Sequence, residues 1–150
     1  MIRHAWSVLC TRAITDSESR NISLLEVLEQ INIPAGAQFP LVAPIQSDFV
    51  SFWYRSNPNQ PERGTCRISV VTPNNQAREA TQQTVDLTVY QRSRTIARSA
   101  GITLDAPGIY QFIIDLRQEG QQEWENVAHV PVSVVTTEQL AATPVRPAVQ

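Results

Sequence analysis

Apolar residues recur at every second position through most of this chain, as in strands with one face turned inward. Cys66, Ile68 and Val70 alternate with Arg67 and Ser69, and Val85, Leu87 and Val89 alternate with Thr84, Asp86 and Thr88. Tyr110, Phe112, Ile114 and Leu116 make a third row, and Ala128, Val130, Val132 and Val134 a fourth. Turn-forming residues punctuate the runs, at Thr72-Pro73-Asn74-Asn75-Gln76 and at Glu119-Gly120-Gln121-Gln122. Short strands between short turns predict an all-β domain, an antiparallel two-sheet sandwich of about seven to nine strands.

The stretch NISLLEVLEQINIP, from Asn21 to Pro34, supports two periods. Ser23 and Glu26 fit a helical capping box, and Leu24, Leu28 and Ile31 share a helical face. Its neighbours favour a strand, because Trp6 to Ile14 reads as a strand and Asp16-Ser17-Glu18-Ser19-Arg20 as a polar turn. Two apolar runs around a short turn make an antiparallel hairpin. Residues 23–31 are therefore expected to form one strand, with Leu25, Val27 and Ile31 on one face and Leu24 and Leu28 on the other. After Thr137 the chain carries two prolines, small residues and no aromatic. This divides it into a β domain, 1–137, and a flexible C-terminal tail, 138–150.

Leu104-Asp105-Ala106-Pro107-Gly108-Ile109-Tyr110 places a tyrosine at a strand start just after a proline–glycine corner. Such a ring can be buried if its hydroxyl turns back to an upstream backbone group. The stretch resembles the Leu-x-Pro-Gly-x-x-Tyr corner of fibronectin type III domains, with one residue fewer between glycine and tyrosine. An antibody-type domain would need a cysteine where Phe112 stands. Taken in order, AWSVLCTRAIT, NISLLEVLEQINIP, SDFVSFWYRS, ITLDAPGIYQFIIDL and VAHVPVSVV resemble an uncharacterised bacterial family of single-domain β-sandwich proteins. The resemblance runs over nearly all of Ala5 to Val135. It implies an immunoglobulin-like or fibronectin-like fold and brings no catalytic or binding residues with it.

Composition excludes more chemistry than it suggests. The net charge is −2, every basic side chain is Arg, and the five glycines are scattered, so a phosphate-cradling loop with its lysine is ruled out. The amino-terminal stretch lacks a long apolar run and no segment approaches a transmembrane length. The expected compartment is the cytoplasm, with Cys10 and Cys66 as buried free thiols. Cys66 with His129 could serve a small hydrolase, and Cys10, Cys66, His4 and His129 could hold a metal. The ligand spacing of structural metal sites is missing, however, and no cofactor is expected. Arg92, Arg94 and Arg98, which follow Tyr90, could contact nucleic acid; the expected structure there is a solvated loop, and nucleic acid is a disfavoured partner.

The segment Asp48-Phe49-Val50-Ser51-Phe52-Trp53-Tyr54-Arg55 carries the most specific expectation. Alternation puts Phe49 and Trp53 on one face, and Val50, Phe52 and Tyr54 on the other. A strand of a two-layer domain has one face in the core, so a second aromatic face needs a cover. Phe49, Phe52, Trp53, Tyr54 and Arg55 are thus the candidate partner-binding residues of a non-enzymatic binding or assembly module, a subunit or accessory of a larger bacterial complex that engages a protein partner or a second copy through this sheet face or through a strand edge.

Overall fold

A computed structural model describes residues 1–138 of the chain. Among these residues there are eleven strands: β1 (Ile2–Thr15), β2 (Ile22–Val27), β3 (Gln30–Ile33), β4 (Leu41–Ala43), β5 (Ser47–Arg55), β6 (Glu62–Val71), β7 (Ala77–Leu87), β8 (Arg92–Ser99), β9 (Ile102–Leu104), β10 (Gly108–Gln118) and β11 (Glu125–Thr136). The all-β expectation holds. The count exceeds seven to nine because β4 and β9 form a small ribbon and because the Asn21–Pro34 segment is split in two. The tail expected over 138–150 lies, apart from Glu138, outside the described residues.

One sheet has the order β2-β1-β5-β8, and a second has the order β3-β11-β10-β6-β7. Their facing surfaces share one apolar core, to which Leu9, Phe49 and Trp53 come from the first and Ile68, Val85, Tyr110, Ile114, Leu116, Val132 and Val134 from the second. The rows read from the alternation at 66–70, 110–116 and 128–134 all face this core or pack against it. Val89 does not: β7 ends at Leu87, and Val89 lies beyond it, exposed.

The single strand expected over 23–31 is replaced by two strands in different sheets. β2 pairs with β1 as the hairpin reading required, Cys10 opposite Val27 and Ile14 opposite Ser23. Glu26 then takes a left-handed backbone, φ 48°, which few residues other than glycine adopt without strain. The Leu28 amide donates to the Leu9 carbonyl at 2.8 Å, and the Ser133 amide to the Glu29 carbonyl at 3.0 Å. These two bonds hold the crossing point between the sheets, and Leu28 is buried in the core there. Beyond it β3 runs parallel to β11, Ile31 beside Val134, the exception to an otherwise antiparallel arrangement. Leu25 and Val27 are exposed, whereas Ile31 is buried in the other sheet. They do not share a face as expected.

The corner before β10 closes as the residues suggest. The Tyr110 hydroxyl accepts from the amides of Asp105 and Ala106, at 2.8 and 3.1 Å, and donates to the Ala106 carbonyl at 2.8 Å. Gly108 has φ 133°, and a side chain there would meet the Pro73 ring at 2.8 Å. Only glycine fits that approach.

Candidate docking face on the four-stranded sheet

Residues directly opposite one another on adjacent strands project from the same face, so the registers of β1, β5 and β8 define two surfaces. The inner one carries Leu9, Phe49 and Ala97 in one row and His4, Trp53 and Ser93 in another. The outer one has four rows. Arg3, Tyr54 and Arg92 form the first; Trp6, Phe52 and Arg94 the second. Val8, Val50 and Ile96 form the third; Cys10, Asp48 and Arg98 the fourth. A β-bulge between His4 and Trp6 makes this possible. One extra residue reverses the alternation, so that Arg3 and Trp6 both face outward while His4 turns in.

The aromatic segment of β5 is therefore divided. Phe49 is 4% and Trp53 0% exposed, and both belong to the core. Phe52 and Tyr54 face outward, Tyr54 42% exposed. Arg55 is half-buried, its guanidinium donating to the carbonyls of Gln60 and Leu87 at 3.2 and 2.9 Å. Of the five expected binding residues, only Phe52 and Tyr54 lie on this outer face. Trp6, which the linear pattern did not single out, joins them: its ring centroid lies 5.6 Å from that of Phe52.

The outer face is apolar at its centre. Cys10, Ala13 and Val50 are buried there under Trp6, Val8, Ile22, Leu24 and Ile96, and every member of this cluster belongs to β1, β2, β5 or β8. Among the described residues no other element contributes to it. An Asp48–Arg98 pair closes one end. The fully buried Asp48 carboxylate accepts from Arg98 Nε at 2.8 Å and from the Ala13 amide at 2.8 Å. Burial alone would push this carboxyl up, but the Arg98 guanidinium and the Ala13 amide hold it below the usual carboxylate range. The Ala13 bond also satisfies a β1 amide just where the β1–β5 ladder ends at Cys10.

Charge is distributed unevenly. The four strands of this sheet hold Arg3, Arg12, Arg55, Arg92, Arg94 and Arg98 against Glu26 and Asp48, a surplus of four positive charges in a chain whose net charge is −2. Arg92 to Ser99 is strand β8, not the solvated loop expected. Thr95 and Ala97 face the interior and the arginines face out, which suits a sheet edge. The long side chains obscured that alternation in the sequence.

Other polar clusters are less open to a ligand. Cys66 faces the core, burial pushing its thiol up, while His129 is exposed and bonded to Asn126 at 2.8 Å. Cys66 is opposite Leu116, which faces inward, and His129 is opposite Ile113 on the alternate face of β10. The two do not meet. Cys10 lies in the outer cluster, so the four residues weighed as metal ligands are dispersed, and no group of three His, Cys, Asp or Glu side chains among the described residues could hold a metal. His4 Nε2 does lie 2.7 Å from Ser7 Oγ, which lies 2.7 Å from Ser51 Oγ. Burial holds the His4 imidazole below its ordinary pKa, a backbone bond at Trp6 offsetting part of this. The other partner of this histidine is a backbone group rather than an orienting carboxylate, so the trio ties strands together.

A cleft of about 490 Å³ opens between β7, β8 and β9, lined by Leu9, Phe49, Phe112, Gln83, Arg78 and Arg98 among others. Both arginines are already paired, Arg78 with Asp105 and Arg98 with Asp48. On the outer face of the five-stranded sheet, Trp124 lies between the guanidinium groups of Arg67 and Arg117, at 4.3 and 4.6 Å. Arg67 is neutralised by Asp115 at 2.8 Å. Arg67 comes from β6 and Arg117 from β10.

No family model matches the chain, and neither does any curated protein. Among solved structures it is similar to a β-glucosidase from Listeria innocua, at 9% identity and TM-score 0.48 over 71% of this chain and 14% of that one. It is similar to an alkylpurine DNA glycosylase from Pseudomonas fluorescens, at 7% identity and TM-score 0.43 over 89% of this chain and 30% of that one. A third is an immunoglobulin-like protein from Pseudomonas aeruginosa, at 10% identity and TM-score 0.37 over 90% and 97% of the two chains. The chain thus spans under a third of the first two proteins, and likenesses this remote carry no functional argument.

Proposed function

We propose that this protein is an immunoglobulin-like sandwich acting as a non-catalytic binding or assembly module. It docks a protein partner, or a second copy, through the outer face of the four-stranded sheet, as an accessory subunit of a larger bacterial complex. The observation behind this reading is the apolar strip of Trp6, Phe52, Val8 and Ile96, on a face that no other described element shares. An isolated satellite cluster could stand on its own. Here, however, aromatic rings and arginines adjoin it, the residue types that dominate binding energy at interfaces. A cytoplasmic location accords with two free thiols on opposite faces of β-sheets. No helix among the described residues is long and apolar enough to cross a membrane.

Photo-crosslinking tests this reading. Benzoylphenylalanine replaces exposed Tyr54 on the proposed face, or exposed Ile109 on β10 as the control. Irradiation in the source cells should give a discrete larger species from position 54 and none from position 109. Equal yields from both positions, or a protein that stays uncrosslinked and strictly monomeric, would remove the docking reading.

A further inference from the structure

We infer that the occupant of this face is an acidic protein segment bearing aliphatic or aromatic side chains. The inference rests on the docking reading and adds the chemistry of the partner. Arg3 and Arg92 flank Tyr54 across one row of the sheet. Both are exposed, and neither side chain has an ion pair or hydrogen bond among the described residues. Arg94, beside Phe52, spends one donor on the Arg20 carbonyl, and a carbonyl does not neutralise it. Of the two acids on these four strands, Asp48 is buried and already satisfied by Arg98 and Ala13, and Glu26 lies on β2 beside the Cys10–Arg12 end of β1, away from Arg3. One end of the strip therefore carries three uncompensated guanidinium groups in the same two rows as its aromatic side chains, in a protein that is acidic overall.

The apolar half decides the class of polyanion. Nucleic acid would use the arginines and could stack on the rings, but it has nothing aliphatic to place against the partly exposed Val8 and Ile96. A peptide with carboxylates at one end and apolar side chains at the other satisfies both halves. Guanidinium–carboxylate pairs would orient it, and rim charges of this kind act chiefly on association rate and salt dependence.

The test uses a displayed library of random 12-residue peptides, selected on the full chain and counter-selected on Phe52→Asp, with Tyr54→Ala as a second variant should the first fail to fold. Circular dichroism establishes folding of each variant. The expected result is enrichment of peptides with net negative charge and at least two large apolar residues. Their affinity should fall about tenfold for the Arg3→Glu/Arg92→Glu double variant and should weaken with added salt. Peptides that depend on Phe52 or Tyr54 but are neutral or basic would overturn the acidic inference and leave the docking reading standing. If no peptide depends on either ring, both fall. A 20-residue oligothymidylate that competes with the selected peptides would reassign the face to single-stranded nucleic acid and so overturn the inference.

Discussion

The Tyr110 hydroxyl joins three backbone groups at a half-buried corner. Tyr110→Phe keeps the ring and orphans those groups, so stability should fall by about 1–3 kcal/mol, read from the urea midpoint. Asp48 makes a comparable contribution by other means. Its folded-state pKa lies below the ordinary value, so its stabilisation is fully present above the unfolded carboxyl's pKa, about 3.9, and drains away as pH falls toward the folded value. Asp48→Asn should cost about 2 kcal/mol near neutrality, a figure kept modest because the Arg98 side chain is 55% exposed. Denaturation of both proteins across pH should show a constant gap above about pH 5 that narrows below about pH 4. A gap independent of pH would mean that the ion pair contributes nothing.

Among the strands, the crossing from β2 to β3 does most to shape the fold, because it moves the chain from one sheet to the other within a few residues. Leu28 fills the core at that point, whereas Leu25 stands exposed on β2 three residues earlier. Leu28→Ala should therefore cost about 2–5 kcal/mol, and Leu25→Ala should remain within about 0.5 kcal/mol. Thermal unfolding of the pair distinguishes this crossing from a single continuous strand, in which the two leucines would have comparable weight. The bulge in β1 acts on the same level. By reversing the alternation it brings Trp6 to Phe52 on the outer face and His4 to Trp53 on the inner one.

The assembled sheets isolate the two cysteines from solvent and from each other. Cys10 is covered within the outer cluster and Cys66 within the core, and burial pushes both thiols up, away from the reactive thiolate. A thiol-specific chromogenic reagent should find no fast-reacting group in the native protein and two after denaturation. Rapid modification of Cys66 in the native state would revive the nucleophilic reading. The gathering of arginines on the four-stranded sheet also emerges only at this level, and it converts an unremarkable net charge into a basic aromatic face.

What could be read from residue order alone was everything governed by neighbours two positions apart or by a local turn. The β class, the inward rows of β6, β10 and β11, the hairpin after Asp16 and the Tyr110 corner all follow from backbone alternation and short-range hydrogen bonding. The partition of the Asp48–Arg55 strand into Phe49 and Trp53 on one side and Phe52 and Tyr54 on the other was equally legible, though which side would be buried was not. Pairing across the sheet decided that. Trp6 meets Phe52, and the arginines of β8 line up beside them, through contacts spanning some forty to ninety positions in sequence. Alternation is a local property that a strand carries wherever it is placed; the company its two faces keep is settled only when distant strands come into register.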